Sequence, residues 1–83
     1  MIQQALDMIR QFLNGAYDPM QFSLDMEEFL NDQYDAMHEE NPNLTEFLNE
    51  DIPELCAECE PGMDFTEFRQ KIEVQMREAL AYL

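Results

Sequence analysis

The sequence predicts an all-α protein: an antiparallel four-helix bundle with short connections, in a single domain spanning residues 1–83. Apolar residues recur every three or four positions along most of the chain, a spacing that places them on one face of a helix. Only two glycines are present, and the prolines fall between apolar segments, with one exception discussed below. No stretch alternates apolar and polar residues for long enough to make a strand.

The first helix is predicted over residues 1–14, because a single apolar stripe runs through this segment. Gly15 follows it and is predicted to end the helix, since glycine readily adopts the left-handed backbone found just after a helix C-terminus. The residues of the stripe are Ile2, Ala5, Leu6, Ile9, Phe12 and Leu13.

The second helix is predicted to begin at Asp18 and Pro19 and to end at Asn41. Asp18 suits the N-cap, Pro19 the first helical position, and Gln21 the third position of a capping box. Asn41 precedes a proline, which disfavours the α conformation and so ends the helix. The apolar face comprises Phe22, Met26, Phe29, Leu30, Tyr34 and Met37, and the opposite face comprises Asp25, Glu28, Asp32, Asp35 and Glu39.

The third helical segment, residues 43–60, contains Pro53 inside its apolar pattern, where a straight helix loses a hydrogen bond. Asp51 and Glu54 resemble a second capping box, so we predict that this helix is kinked or broken near Pro53. The apolar phase continues across the proline, which favours a modest kink. The apolar face comprises Leu44, Phe47, Leu48, Ile52, Leu55, Cys56 and Cys59.

The fourth helix is predicted to follow a turn at Pro61 and Gly62. Asp64 is its predicted N-cap, with Glu67 three residues further on. Its predicted buried face comprises Phe65, Phe68, Ile72, Met76, Ala79, Leu80 and Leu83.

Charge is the strongest compositional signal. The chain has 19 acidic and four basic residues, for a formal net charge of −15. No lysine or arginine lies between Arg10 and Arg69, although most of the acidic residues do. Such a field repels nucleic acid and anionic membranes and attracts a basic protein, which is therefore the expected partner. The charge leaves the oligomeric state open.

The acidic residues of the second and third helices are spaced three or four residues apart, so each series lies along one helix face. Like charges at this spacing repel by about 0.2–0.5 kcal/mol per pair. Packed side by side, the two helices are predicted to display one negative plate that imitates a phosphate backbone and accepts hydrogen bonds from a partner's Lys and Arg. The alternative is that these acids only keep the surface soluble. The predicted partner-binding residues, which we call the acidic set, are Asp32, Asp35, Glu39, Glu46, Glu50, Glu54 and Glu58.

Other chemistry has less support in the sequence. Cys56 and Cys59 form a CxxC, but no second pair completes a zinc site, and the βαβ setting of a thioredoxin-type motif is absent. They are predicted to be small buried hydrophobic residues, with a metal or redox role as the alternative. His38 is the only histidine, and no nucleophile or orienting residue can be assigned to it. We therefore expect no enzymatic activity, no cofactor and no metal.

The expected location is the cytoplasm. Two cysteines do not make the disulfide framework of a small secreted protein, and no signal-peptide pattern is present. No apolar run approaches the roughly 20 residues of a membrane span.

Several segments resemble the small colicin-immunity-like proteins of bacteria. Phe12-Leu13-Asn14-Gly15 after a short amphipathic helix, followed by Phe22, is similar to their opening portion. Glu60-Pro61-Gly62, followed by Phe65, Phe68, Arg69 and Lys71, is similar to their closing portion. The resemblance implies an acidic helical bundle that binds and neutralises a cognate nuclease toxin. The toxin-binding residues of that family vary between members, so the resemblance assigns no individual contact.

Two functional hypotheses follow. The first is a non-enzymatic immunity-type inhibitor that binds a basic toxin through the acidic set. The second is a small adaptor or regulatory domain that homodimerises or docks through an apolar patch. The first predicts binding that is steeply weakened by salt, whereas the second predicts binding that tolerates salt.

Overall fold

A computed structural model describes all 83 residues and shows an all-α protein, as predicted. The chain forms five α-helices rather than four, followed by a short 3₁₀ helix. Their bounds are α1 Ile2–Leu13, α2 Pro19–Asp32, α3 Tyr34–Glu40, α4 Pro42–Ala57, α5 Thr66–Ala79 and the 3₁₀ helix Leu80–Tyr82. None of these helices combines the length and the apolar character needed to cross a bilayer.

α1 ends at the predicted glycine. Gly15 has φ +81° and donates its N–H to the Phe12 carbonyl at 3.1 Å. Ala16 donates to the Gln11 carbonyl at 2.9 Å, which completes a Schellman motif and satisfies two carbonyls at the helix end. The predicted apolar stripe is confirmed, with Leu13 only partly buried.

Replacing Gly15 with alanine is expected to lower the free energy of unfolding by about 1–2 kcal/mol, because a Cβ is strained at positive φ. A Cβ built on Gly15 meets no atom within 4 Å, so the loss comes from the backbone alone. Urea denaturation measures it, and Gly15→Asn serves as the control, since asparagine tolerates this conformation better. Equal stability of Gly15→Ala and wild type would contradict the motif.

The predicted second helix is interrupted at Gln33, which separates α2 from α3. Gln33 has φ −103° and ψ 12°, outside the helical region, and it is neither glycine nor proline, so no local signal marks it. The start is as predicted: the Asp18 carboxylate accepts the Gln21 N–H at 2.9 Å. The reciprocal half of the capping box is absent, because the Gln21 side chain donates to Asp25 instead.

α4 is continuous through Pro53, so of the two predicted alternatives, a kink or a break, the break is not present, and the kink stays a prediction. Its N-cap is Asn41, whose side chain accepts the Leu44 N–H at 3.1 Å, and Asp51 lies in the helix interior rather than at a cap. A proline inside a helix costs about 3 kcal/mol. Ile52 and Cys56 flank Pro53 and are both buried on the core face, and continuing the helix past Pro53 keeps both of them there.

α5 differs from prediction at both ends. Its N-cap is Phe65, and Asp64 lies one residue earlier, where its carboxylate accepts the Thr66 N–H at 2.9 Å. Hydrogen bonding to the side chain of Thr66, together with this backbone hydrogen bond, lowers the pKa of Asp64. At the other end the helix stops at Ala79, so Leu80 and Leu83 are 48% and 67% exposed rather than buried.

The core is one cluster to which all five α-helices contribute. At its centre the Phe12 and Phe22 rings are stacked with centroids 4.3 Å apart, and the Phe68 ring is tilted against Phe12 at 5.3 Å. α4 packs against α2, α3 and α5, and α1 packs against α2 and α5. This arrangement determines which acidic faces become neighbours.

Candidate functional site

The basic side chains of the protein do not neutralise the acidic residues of α2, α3 and α4. Three of the four pair with a carboxylate of their own helix: Arg10 with Asp7 at 3.2 Å, Lys71 with Glu67 at 3.1 Å and Arg77 with Glu73 at 2.8 Å. All three pairs lie in α1 or α5. Such exposed pairs contribute little to stability, but each one balances a charge locally.

Arg69, the fourth basic residue, is used inside the fold. One guanidinium nitrogen, Nη1, donates to the carbonyls of Phe12 and Leu13 at 2.8 and 3.0 Å. The guanidinium carbon lies 4.6 Å from the centre of the Phe12 ring, within the range of a cation–π interaction. Arg69 therefore caps the C-terminus of α1 from α5 and forms no ion pair with an acidic residue.

The acidic residues of α2, α3 and α4 consequently have almost no cationic partner. His38 Nε2 lies 3.8 Å from Glu46 Oε1, with both side chains exposed to solvent. The N-terminal amine lies 2.9 Å from Glu40 Oε2, and this interaction lowers the pKa of Glu40. No lysine or arginine pairs with an acid on these three helices, so most of this negative charge faces solvent unbalanced.

All seven residues of the acidic set are exposed, as their helical spacing predicts. Three of them line grooves on different parts of the surface. Asp32 lines a groove beside Met8 of α1, whereas Glu54 and Glu58 line a groove beside α5. α4 packs against α2, α3 and α5, so these three acids border different pairs of helices, and the other four line no groove. Their role as partner contacts stays a prediction.

One groove lies between α2 and α4 and encloses about 710 Å³; we call it the α2–α4 groove. Its carboxylates are Asp25, Glu27 and Glu28, none of which belongs to the acidic set. Asp25 also accepts a hydrogen bond from the Tyr17 hydroxyl, and burial together with this carboxylate raises the pKa of Tyr17 to about 12. Asp25 and Glu28 belong to the predicted acidic face of the second helix, whereas Glu27 and the neighbouring position of α4 were not indicated by the sequence.

A second groove of about 550 Å³ lies between α4 and α5; we call it the α4–α5 groove. Its apolar centre is Leu55 and Val74. The sequence indicated two of its carboxylates as site residues, Glu54 and Glu58. It did not indicate the other carboxylates of the groove or the buried amide of Gln75. The polar residues that line it are Asp51, Glu54, Glu58, Glu67, Gln70, Lys71 and Gln75.

The cysteines lie where the apolar stripe predicted, with Cys56 4% and Cys59 8% exposed. Burial raises the pKa of the Cys56 thiol to about 12 and also raises the pKa of Cys59. The Cys59 thiol donates weakly to the Leu55 carbonyl at 3.6 Å. Both thiols are thus protonated near neutral pH, and a protonated thiol is neither a strong nucleophile nor a metal ligand. No group of three or more metal-binding side chains is present.

His38, the only histidine, lies on the surface of α3. Its ring is stacked against Tyr34 with centroids 5.7 Å apart, and it faces Glu46 as described above. No serine, threonine or cysteine forms a hydrogen bond with it. The structure therefore places no nucleophile beside this imidazole.

Comparison with known proteins adds no relative. The chain matches no protein-family model, no curated protein and no solved structure at a significant level. The likeness to colicin-immunity-like proteins thus rests on the sequence segments given above and stays a prediction.

Proposed function

We propose that this protein is a non-enzymatic, immunity-type inhibitor that binds a basic, nucleic-acid-cleaving bacterial toxin in the cytoplasm. The observation that supports the proposal is the unbalanced charge of α2, α3 and α4. Most of their carboxylates are exposed, and every lysine and arginine of the chain is engaged elsewhere. A surface with this charge is matched by a partner rich in lysine and arginine.

The proposed inhibition is occupation of the toxin's phosphate-binding face. A nuclease binds the nucleic-acid backbone through lysine and arginine side chains. Carboxylates that reach the same side chains form charge-assisted hydrogen bonds and exclude the substrate. The long-range attraction between the two proteins raises the association rate, and added salt reduces it.

Charge reversal tests the proposal. The triple variant Glu46→Lys, Glu50→Lys, Glu54→Lys is expected to weaken partner binding by about 100-fold, because each reversal replaces an attraction by a repulsion of up to about 1 kcal/mol. The partner is captured from the source cells on immobilised protein at low salt and eluted with a salt gradient. A strongly basic nuclease that elutes sharply is the expected result.

The matched control is a triple reversal outside α2–α4, at Asp7, Glu73 and Glu78, which changes net charge equally. If both triple variants lose binding to the same extent, only total charge matters and no particular face is used. The proposal fails if the α4 variant binds as wild type does, or if no basic protein is captured.

The exposed apolar residues of the C-terminal end favour the adaptor hypothesis as a second candidate. Leu80 and Leu83 project from the end of α5, and Tyr82 beside them is 43% exposed while its ring stacks on Phe47 at 5.0 Å. An interface centred on these residues buries little charge. Its binding would therefore persist in high salt, which the same elution gradient distinguishes.

A further inference from the structure

We propose that the α4–α5 groove receives an arginine side chain of a protein partner. This inference rests on the proposed function, because it assigns the site at which a basic partner is anchored. The expected ligand is arginine rather than any positively charged side chain, and the amide of Gln75 provides this selectivity.

The charge of the groove suits a cation. Four carboxylates line it, and only Glu67 is paired with a base, Lys71. The carboxylates of Glu54 and Glu58 form no hydrogen bond or ion pair within the chain, and the Asp51 carboxylate accepts a hydrogen bond only from a neutral amide, that of Gln75. The groove thus holds more negative than positive charge, and charge complementarity favours a basic occupant.

The shape of the groove suits a long side chain rather than a small ion. Leu55 is half-buried and Val74 is 44% exposed, so an apolar strip lies between the carboxylates. Arginine packs its three methylene groups against such a strip while its guanidinium stays with polar groups. An apolar strip contributes nothing to the binding of a metal ion. No group of three or more His, Cys, Asp or Glu side chains is arranged to hold one.

The side-chain amide of Gln75 lacks a hydrogen-bond donor for its oxygen, Oε1. Its side chain lines the groove and is only 8% exposed. Its Nε2 donates to Asp51 Oδ2 at 3.3 Å, but its buried Oε1 accepts no hydrogen bond. The opposite orientation of the amide is disfavoured, because it would place Oε1 against the Asp51 carboxylate. A buried acceptor without a donor is costly, so a ligand that supplies an N–H is favoured here.

Guanidinium meets both requirements at once. It carries five N–H donors in a planar fork, so one edge can bind a carboxylate while another N–H donates to Oε1 of Gln75, once that side chain turns its buried oxygen towards the groove. Lysine has the same charge, but its compact, strongly hydrated ammonium lacks this planar arrangement. The α2–α4 groove also has three carboxylates, but no buried side-chain atom there lacks a partner. It therefore shows no corresponding preference for arginine.

The test compares pentaarginine with pentalysine, two peptides of equal charge, by NMR titration of the ¹⁵N-labelled protein at low salt. Pentaarginine is expected to bind about tenfold more tightly, since one additional satisfied buried acceptor favours it. Its shift changes should centre on the backbone amides of Leu55, Val74 and Gln75. The variant Gln75→Met keeps the length of the side chain but removes Oε1, and it should reduce the preference to less than about twofold.

Glu27→Gln, in the α2–α4 groove, is the matched control and should leave the arginine preference unchanged. Equal affinities for the two peptides, or shift changes spread over all acidic helices, would overturn the groove assignment. That result leaves the immunity proposal standing, because the toxin-capture experiment tests it separately. The location of the shifts in the wild-type protein keeps the inference testable even if Gln75→Met does not fold.

Discussion

Replacement of Phe12 by alanine is expected to lower the free energy of unfolding by about 3–5 kcal/mol, the usual cost of deleting a buried aromatic ring. Phe12 is fully buried, and its ring contacts three partners: Phe22, Phe68 and the guanidinium of Arg69. The cavity left by alanine would be bounded by two large rings that cannot both move into it. Small domains have only about 5–15 kcal/mol of total stability, so much of the protein would be close to unfolding.

Urea denaturation followed by circular dichroism measures this loss. Phe12→Leu is the control, because it retains most of the buried volume but removes the ring and is expected to cost about 1–2 kcal/mol. The aromatic cluster would not be the centre of the fold if the two variants unfolded at the same urea concentration.

Raising the pH from 9 to 12 is expected to lower the free energy of unfolding by about 4 kcal/mol through Cys56 alone, with about two thirds of this loss reached at pH 11. Its thiol has a pKa of about 12 in the fold against an ordinary value of 9.0, and each pKa unit corresponds to about 1.4 kcal/mol. Below pH 9 the thiol is neutral in both the folded and unfolded states, so its full contribution is present. Between pH 9 and 12 it ionises only in the unfolded chain, which stabilises that chain, so folding stability falls as pH rises. Tyr17, with its raised pKa, acts in the same direction above pH 10.

Urea midpoints measured from pH 8 to 11 under reducing conditions test this effect. Cys56→Ala should be somewhat less stable than wild type at pH 8 but should lose less stability as the pH rises. Tyr17→Phe identifies the part of the remaining slope that belongs to the phenol. A wild-type slope identical to that of Cys56→Ala would mean that the thiol is already accessible to solvent in the folded protein.

Local rules predicted most of the helical structure. Leu44, Leu48 and Ile52 are spaced for one face and are all fully buried, and Asp18 followed by Pro19 marked the start of α2 correctly. The failures have two causes. Gln33 interrupts a helix without any glycine or proline, so no local pattern indicates the break. Pro53 is a local breaker, but burial of its neighbours on both sides keeps α4 continuous, a tertiary effect that residue propensity does not include.

The candidate surface was predictable in part for the same reason. Helical spacing alone places Glu46, Glu50 and Glu54 away from the core, and all three are exposed. Which groove each acid lines depends on which helices are neighbours, and the spacing contains no information about that. The unsatisfied amide of Gln75 is likewise a property of the packed α4–α5 pair, since its position on α5 reads as an ordinary polar residue in the sequence.

The use of Arg69 inside the fold affects how copies of the protein interact with one another in solution. With that cation capping α1 and the other three balanced within α1 and α5, two copies of this domain present like-charged α2–α4 faces to each other. Electrostatic repulsion keeps such copies apart in dilute salt, and it also keeps the protein in solution at high concentration. Self-association through these faces would need salt or a bound cation to screen them, whereas a basic protein lowers the electrostatic energy by binding. The same distribution of charge therefore disfavours homodimers through α2–α4, whereas a complex with the proposed basic partner would not carry this repulsion.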